Sequence, residues 1–379
     1  MSLQTITPEL PHRPLAYLDR VGTHITKSEW DEMPLTWKLM PETWLTAFDF
    51  DALMLEADAR PLKPMLEIGS SGHGLTHVHE IVGLHSAAEN FKTNLCLQLM
   101  QSLVTGRHFL GTYKPARKYR VFFLETEMSV SALSKRVATM FRGMKAPEGI
   151  FFASESDLRA FKRAFDLEAK FRHLKDLLRD TRVDVLIIDT ANPFFRGKES
   201  PNDELNAGKF FDLLESMPAK LKIFVRHDHK PRELDTPNDP DPSMIRGSGQ
   251  FADVPDLLLS IRRKDKRTHE ASFYITKFRH GSKPDPLTVW FDAVDFRLIP
   301  YPPVIHVLHR NPLTRDELLI ELKRRFNVGA TKADTELIEG VRHYLTEYQN
   351  GHKKVFATND LACKSAEWYS AYFNETNGL

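Results

Sequence analysis

A chain of 379 residues with 41% hydrophobic and 27% charged residues has the makeup of a folded protein, long enough for one large domain and a smaller one. The 52 basic and 51 acidic side chains nearly cancel, which excludes a global electrostatic attraction to nucleic acid or anionic membrane and leaves local patches for such contacts. Two cysteines, Cys96 and Cys363, lack CxxC spacing and exclude a disulfide framework or a thiolate zinc site; no apolar run reaches the roughly 20 residues of a membrane span and no signal-peptide pattern opens the chain, so a cytoplasmic setting without a membrane partner is expected.

Residues 1–60 are rich in Pro, Trp and acidic side chains and read as an N-terminal arm. From 61 to 300, strand-like and helix-like runs alternate, as in a mainly parallel, twisted sheet with crossover helices. HVHEIVG (77–83) reads as the first strand and NLCLQLMQSLV (94–104) as the helix after it. YRVFFLETE (119–127) is a strand, SALSKRVATMFRGM (131–144) a helix, and RAFKRAFDLEAKFRHLKDLLRDT (159–181) one amphipathic helix. VDVLIID (183–189) and LKIFVRHDH (221–229) are buried strands flanking a helix at NAGKFFDLLESM (206–217). Two long polar loops, 192–206 and 230–249, follow these strands. ASFYITKFRHG (271–281) and LTVWFDAVDFRLI (287–299) read as antiparallel edge strands, the Pro-rich 301–311 as a linker, and 312–379 as helix, helix and a strand or wing.

Between the first strand and its helix, GLHSAAENFKTN ends as a phosphate-binding loop does. There, backbone amides and a helix N-terminus wrap phosphate, a lysine bridges the outer phosphates, and a hydroxyl holds magnesium. Gly83 would open the loop, with Asn90, Phe91, Lys92, Thr93 and Asn94 lining it. Counted from Gly83 the loop is longer than the standard spacing, Phe91 stands where glycine is usual, and Glu89 adds an acid. An acid ending a neighbouring apolar strand is needed to position the metal, which Asp189 supplies beside Thr93. A carboxylate to orient water is offered by Glu125 and Glu127 at the tip of the intervening strand.

From Thr76 to Asp292 the order of motifs resembles the RecA-type ATPase core, within the branch of ring-shaped replicative helicases that includes RepA-type plasmid and phage enzymes. LETEMS is similar to the strand end carrying that family's catalytic glutamate, which falls on Glu127. LIIDTANPF resembles the strand ending in Asp189, and RHDHK the strand end whose histidine senses phosphate, which falls on His227. RGSGQFADVPD matches a further segment at Arg246, Ser248, Gly249 and Asp256. ITKFRHG is similar to the segment that sends a lysine and an arginine into the neighbouring subunit's nucleotide, here Lys277 and Arg279. The resemblance implies a RecA-like P-loop core, ATP and Mg2+ as cofactors, and a homo-oligomeric ring, and the helix, helix and wing of 312–379 separately resemble a small C-terminal winged-helix-like module. It further implies single-stranded DNA held by the two long loops through Arg196, Lys198, Lys230, Arg232 and Arg246, with Phe194 or Phe195 available for stacking. The C-terminal module would meet duplex DNA or protein. A DNA-binding assembly protein with weak hydrolysis, or a recombinase or recombination mediator, are the alternatives.

Overall fold

The structure, a computed structural model, describes residues 63–68, 74–142, 144, 147–164, 166–179, 181–195, 199–229, 239–264, 269–309, 311–329, 332, 338–350 and 352–358. The arm expected over 1–60 lies outside the described residues. The strands of the core are β1 (Pro64–Ile68), β2 (Gly74–His77), β3 (Ile81–Ser86), β4 (Tyr113–Pro115), β5 (Val121–Glu125), β6 (Ile150–Phe152), β7 (Val185–Asp189), β8 (Leu221–His227), β9 (Leu257–Arg263), β10 (Glu270–Phe278), β11 (Leu287–Asp292) and β12 (Arg297–Ile299). The helices between them are α1 (Lys92–Thr105), α2 (Val130–Met140), α3 (Glu155–Arg163), α4 (Leu167–Arg179), α5 (Glu204–Glu215) and α6 (Gln250–Asp253).

A nine-stranded sheet in the order β12-β11-β10-β9-β3-β8-β7-β5-β6 forms the core. From β9 to β6 neighbouring strands are parallel, whereas β10, β11 and β12 add on as an antiparallel edge. The parallel strands are continuous apolar runs because both faces are covered. Val121, Phe123, Val185, Ile187, Leu221 and Ile223 pack on the side of α1 and α2. Phe122, Leu124, Leu186, Ile188 and Phe224 point the other way, toward α3, α4 and α5. No described helix is long and apolar enough to cross a membrane.

Leu345–Asn350, in the C-terminal run read as a second helix, is a strand, and three further segments differ from the sequence reading. HVHEIVG is not one strand: β2 belongs to a separate three-stranded sheet, β2-β1-β4, and a turn intervenes before β3. Buried Glu80 makes that turn by accepting the His77 amide at 2.8 Å, and His79 takes the left-handed conformation at φ 74. The expected helix over 159–181 is two helices, α3 and α4. Phe161 and Phe171 both lie 4.8 Å from the Phe194 ring, whereas ten residues of one straight helix would separate them by roughly 15 Å.

The third difference is the linker over 301–311, which instead contains α7 (Pro303–Leu308), buried along its length. It packs with α8 (Arg315–Phe326) in a core shared with Trp290 and Ile299 of the edge strands. The strands β13 (Leu313–Thr314), β14 (Leu345–Asn350) and β15 (Lys353–Thr358) form a small sheet in the order β13-β15-β14 beside them. Asp292, fully buried at the end of β11, accepts Arg325 of α8 at 2.7 Å and His306 of α7 at 3.0 Å, so ionic hydrogen bonds fasten the C-terminal body to the core edge.

Candidate nucleotide-binding site

Parallel register brings four strand ends to one edge of the sheet. Ser86 of β3 lies opposite His227 of β8, and Glu125 of β5 opposite Asp189 of β7. Open parallel sheets bind ligands beyond the carboxyl ends of their strands, and this edge is such a crevice.

β3 continues through Gly83 to Ser86, so the turn before α1 spans only Ala87–Phe91. Counting back from Lys92 at the standard spacing, Ser86 and Phe91 stand where a phosphate loop has its two glycines. The loop therefore has ordinary length, and the expectation of an elongated loop opened by Gly83 is corrected. Gly83 is a packing residue: a Cβ there would lie 2.5 Å from Leu258 Cδ2 and 3.0 Å from Phe224 Cζ. The Gly83→Ala protein is expected to lose about 1–3 kcal/mol in urea unfolding, through overpacking between β8 and β9.

Phe91 adopts φ 62 and ψ 17 at the N-cap of α1, the left-handed conformation that glycine takes without cost. Its ring stacks on Phe291 at 4.6 Å under the Arg263 guanidinium at 5.0 Å, contacts that offset the backbone strain and hold the side chain away from the loop interior. Asn90 Oδ1 accepts the Arg263 amide at 3.4 Å. Glu89 is exposed. The first bond of α1 runs from the Leu95 amide to Phe91 O, so the amides of Lys92, Thr93 and Asn94 precede the helical ladder and form its electropositive end. Lys92 Nζ donates to Ser86 O at 3.1 Å and Ala87 O at 2.5 Å, curling over the loop. Burial lowers the proton affinity of this amine, against the pull of Asp189 and Asp228.

Asp189 is 1% exposed and hydrogen-bonded to the Thr93 hydroxyl, while its Oδ2 has no protein partner. Burial, reinforced by Glu125, pushes its carboxyl up to about 7. Glu125, offered by the sequence beside Glu127 as a carboxylate to orient water, is buried; its Oε1 accepts the amides of Glu127 and Met128 at 2.7 and 2.8 Å and fixes the turn that presents Glu127. Its Oε2 also lacks a partner. Glu127 is half exposed and accepts the Thr190 hydroxyl at 3.0 Å, with His227 Nε2 at 3.5 Å. Those contacts, His227 foremost, hold its carboxyl down at about 2. Two orphaned carboxylate oxygens beside a hydroxyl, in an acid cluster faced by one lysine, form an oxygen-rich donor set of the kind a divalent magnesium ion takes, and Thr93 and Asp189 are the groups that would hold it.

Lys277 and Arg279 are not brought to this cluster. Lys277 pairs across from Leu258 beside Gly83, and Phe278 from Leu257 beside Val82, which places them three and four residues, roughly 10 and 13 Å, from Ser86 toward the other end of the sheet. Lys277 donates to Ala252 O and Asp253 O, and Arg279 to Asp256 at 2.9 Å and Asp253 O at 2.9 Å. Glu80 is also contacted there by His77 and His280, which ties the turn bearing Arg279 to the start of β3.

Of the residues expected to meet nucleic acid, Arg196, Lys198, Lys230 and Arg232 lie outside the described residues. Arg246 lies at the base of the second loop, its amide donating to His227 O at 3.0 Å. Phe194 and Phe195 are buried in the phenylalanine cluster with Phe210, so the expected stacking role is corrected.

Residues 71–232 match the family described as AAA domain. Among solved structures, one ATPase domain is similar at 13% identity and a TM-score of 0.46, over 66% of this chain and 97% of that one. A KaiC-like protein from the hyperthermophilic archaeon Pyrococcus horikoshii is similar at 14% identity and a TM-score of 0.43, over 64% of this chain and 99% of that one. No curated protein matches the chain.

Proposed function

We propose that the chain carries a RecA-type P-loop ATPase core, a reading supported by the AAA-domain match over residues 71–232, and that the protein is an oligomeric, magnesium-dependent ATPase acting on DNA, a replicative helicase of plasmid or phage type. The observation that carries this reading is the convergence of Lys92, Thr93, Asp189, Glu127 and His227 at one edge of the sheet. Lys92 and the amides of Thr93 and Asn94 bind phosphate oxygens. Magnesium, when bound, neutralises phosphate charge. Glu127 orients the attacking water, and His227 reports the outer phosphate to the loop after β8.

The placement of Lys277 and Arg279 away from their own phosphate loop supports a role at the nucleotide of a neighbouring subunit, and hence a ring. The loops 192–206 and 230–249 leave the same edge as the site, which supports single-stranded DNA as their ligand, gripped through Arg196, Lys198, Lys230, Arg232 and Arg246. The order β13-β15-β14 beside α7 and α8 supports a winged-helix module that meets duplex DNA or protein.

ATP turnover with and without single-stranded DNA tests this reading. DNA is expected to stimulate the parent, and Lys92→Ala to lower turnover about 100–1,000-fold by removing a charge poised over the phosphates. Equal turnover in Lys92→Ala and the parent would sink it. The absence of glycine at Ser86 and Phe91 favours a second reading, an assembly protein that binds DNA and hydrolyses ATP poorly. Tight DNA binding with negligible turnover in both proteins would select it.

A further inference from the structure

Arg226 precedes His227 in β8 and is 1% exposed, yet among the described residues no carboxylate pairs with it. Burying a guanidinium without a counter-ion is costly, so the position demands a reason. Its hydrogen bonds go to neutral groups on two loops. Nη1 donates to Asn192 Oδ1 at 3.0 Å, in the turn after β7, and Nη2 donates to Arg246 O at 2.6 Å, at the base of the loop after β8. The rings of Phe251 and Phe195 lie under it at 4.3 and 5.4 Å.

Each partner leads onward. The Asn192 backbone amide donates to the Thr190 hydroxyl at 3.4 Å, which itself donates to Glu127 at 3.0 Å, and the Asn192 side chain adds to the pull that keeps that carboxylate ionised. With its oxygen on Arg226, Asn192 has its amide nitrogen left for that carboxylate. On the other side, the segment around Arg246 is zipped onto the end of β8: Asp228 bridges Ile245, and the His229 amide donates to Met244 O at 2.8 Å. The Ser248 amide donates to Pro201 O at 2.8 Å, joining the far end of the first loop to the base of the second. Gly247, at φ 123, closes over the guanidinium; a Cβ there would meet Nη2 and Pro201 O, each at 2.9 Å. The Arg226 guanidinium thus links the Arg246 carbonyl at the base of one loop to the Asn192 side chain at the start of the other.

We propose that Arg226 is a positioning residue that couples both loops to Glu127, through the Asn192 amide on one side and the Arg246 carbonyl on the other. The inference rests on the reading of those loops as the seat of single-stranded DNA. Arg226 touches neither nucleotide nor DNA in this scheme; it sets where Glu127 stands when the loops are occupied.

The test compares the full-length parent with Arg226→Met, which keeps volume and removes the fork, and Arg226→Lys, which keeps charge and loses the two-pronged geometry. ATP turnover is measured with and without single-stranded oligonucleotide, alongside oligonucleotide affinity by fluorescence anisotropy and thermal unfolding. Basal turnover and KM for ATP should stay within about twofold, while the DNA-stimulated kcat falls about 10-fold toward the basal rate, as expected for a lost coupling. Oligonucleotide affinity and folding should be retained in at least the lysine variant. A stimulation ratio equal to the parent's in the folded variants would overturn the relay, as would basal and stimulated rates falling by the same factor. Unfolding of both variants would also overturn it, by making Arg226 structural. A parent that hydrolyses ATP but ignores DNA would instead remove the DNA reading beneath it, an outcome visible before any variant is made.

Discussion

The Glu127→Gln protein is expected to turn ATP over about 100–10,000-fold more slowly than the parent, the range for loss of a positioned acid–base group, with little change in Mg-ATP affinity. Glutamine keeps the volume and can still accept the Thr190 hydroxyl that the carboxylate accepts at 3.0 Å, so the strand end should keep its shape. What it loses is the charge. His227 and Thr190 hold Glu127 ionised down to about pH 2, so at neutral pH it is an anion aimed into a crevice that already holds Asp189 and Glu125. An anion of such low proton affinity serves best by fixing and polarising a water, which the neutral amide does poorly. Single-turnover hydrolysis measured beside equilibrium binding of a fluorescent ATP analogue separates the two effects. Turnover within threefold of the parent would move the water-orienting role elsewhere, and Glu125 is badly placed to take it because its Oε1 is committed to two backbone amides.

Much of this site was legible because each element announces itself locally. β7 and β8 are unbroken apolar runs ending in Asp189 and His227, and a parallel sheet buried on both faces has no other way to write itself. Lys92 and Thr93 open an apolar helix after such a strand, and Glu127 closes another. What failed were features decided by residues far away in sequence. Gly83 reads as a loop glycine until Leu258 and Phe224 are seen against it, and that misreading alone made the phosphate loop look too long. The turn between β2 and β3 is set by the Glu80 side chain, and the break between α3 and α4 by both helices converging on Phe194.

Two misses had a local signal. Pro303 opening an apolar PVIHVL run is the mark of a helix start, because proline suits the first helical turn, yet the surrounding prolines suggested a linker. Ser86 falls on the first glycine position of the loop when the standard spacing is counted back from Lys92. Arg226 had none: a cation next to the last residue of LKIFVRH is compatible with a strand end in solvent, and only the closure of Gly247 and Pro201 over it reveals a buried guanidinium.

Loss of the Asp292 carboxylate should cost about 3 kcal/mol or more of stability at pH 7, because it removes the buried acceptor of the Arg325 guanidinium and of the His306 ring. Asp292 is fully buried and accepts Arg325 Nη1 at 2.7 Å and His306 Nε2 at 3.0 Å through Oδ2, and the amides of Val294 and Asp295 through Oδ1. Asp292→Ala leaves Arg325 with Asp295 and Glu321, at 3.2 and 3.1 Å, so part of its charge stays compensated. His306 keeps the Tyr301 hydroxyl at 2.8 Å and loses its nearer acid. Burial works against ionisation of Asp292, but the His306 hydrogen bond and the charges of His306 and Arg325 outweigh it and hold the carboxyl well below the usual range. A depressed acid contributes stability that is present above its unfolded value near pH 4 and drains away as pH falls toward its folded value. The gap between parent and Asp292→Ala in urea unfolding should therefore be full at pH 7 and narrow progressively below about pH 4. A gap independent of pH would assign the cost to lost packing, and no gap at pH 7 would mean that α7 and α8 hold to the β11 edge through their apolar faces alone.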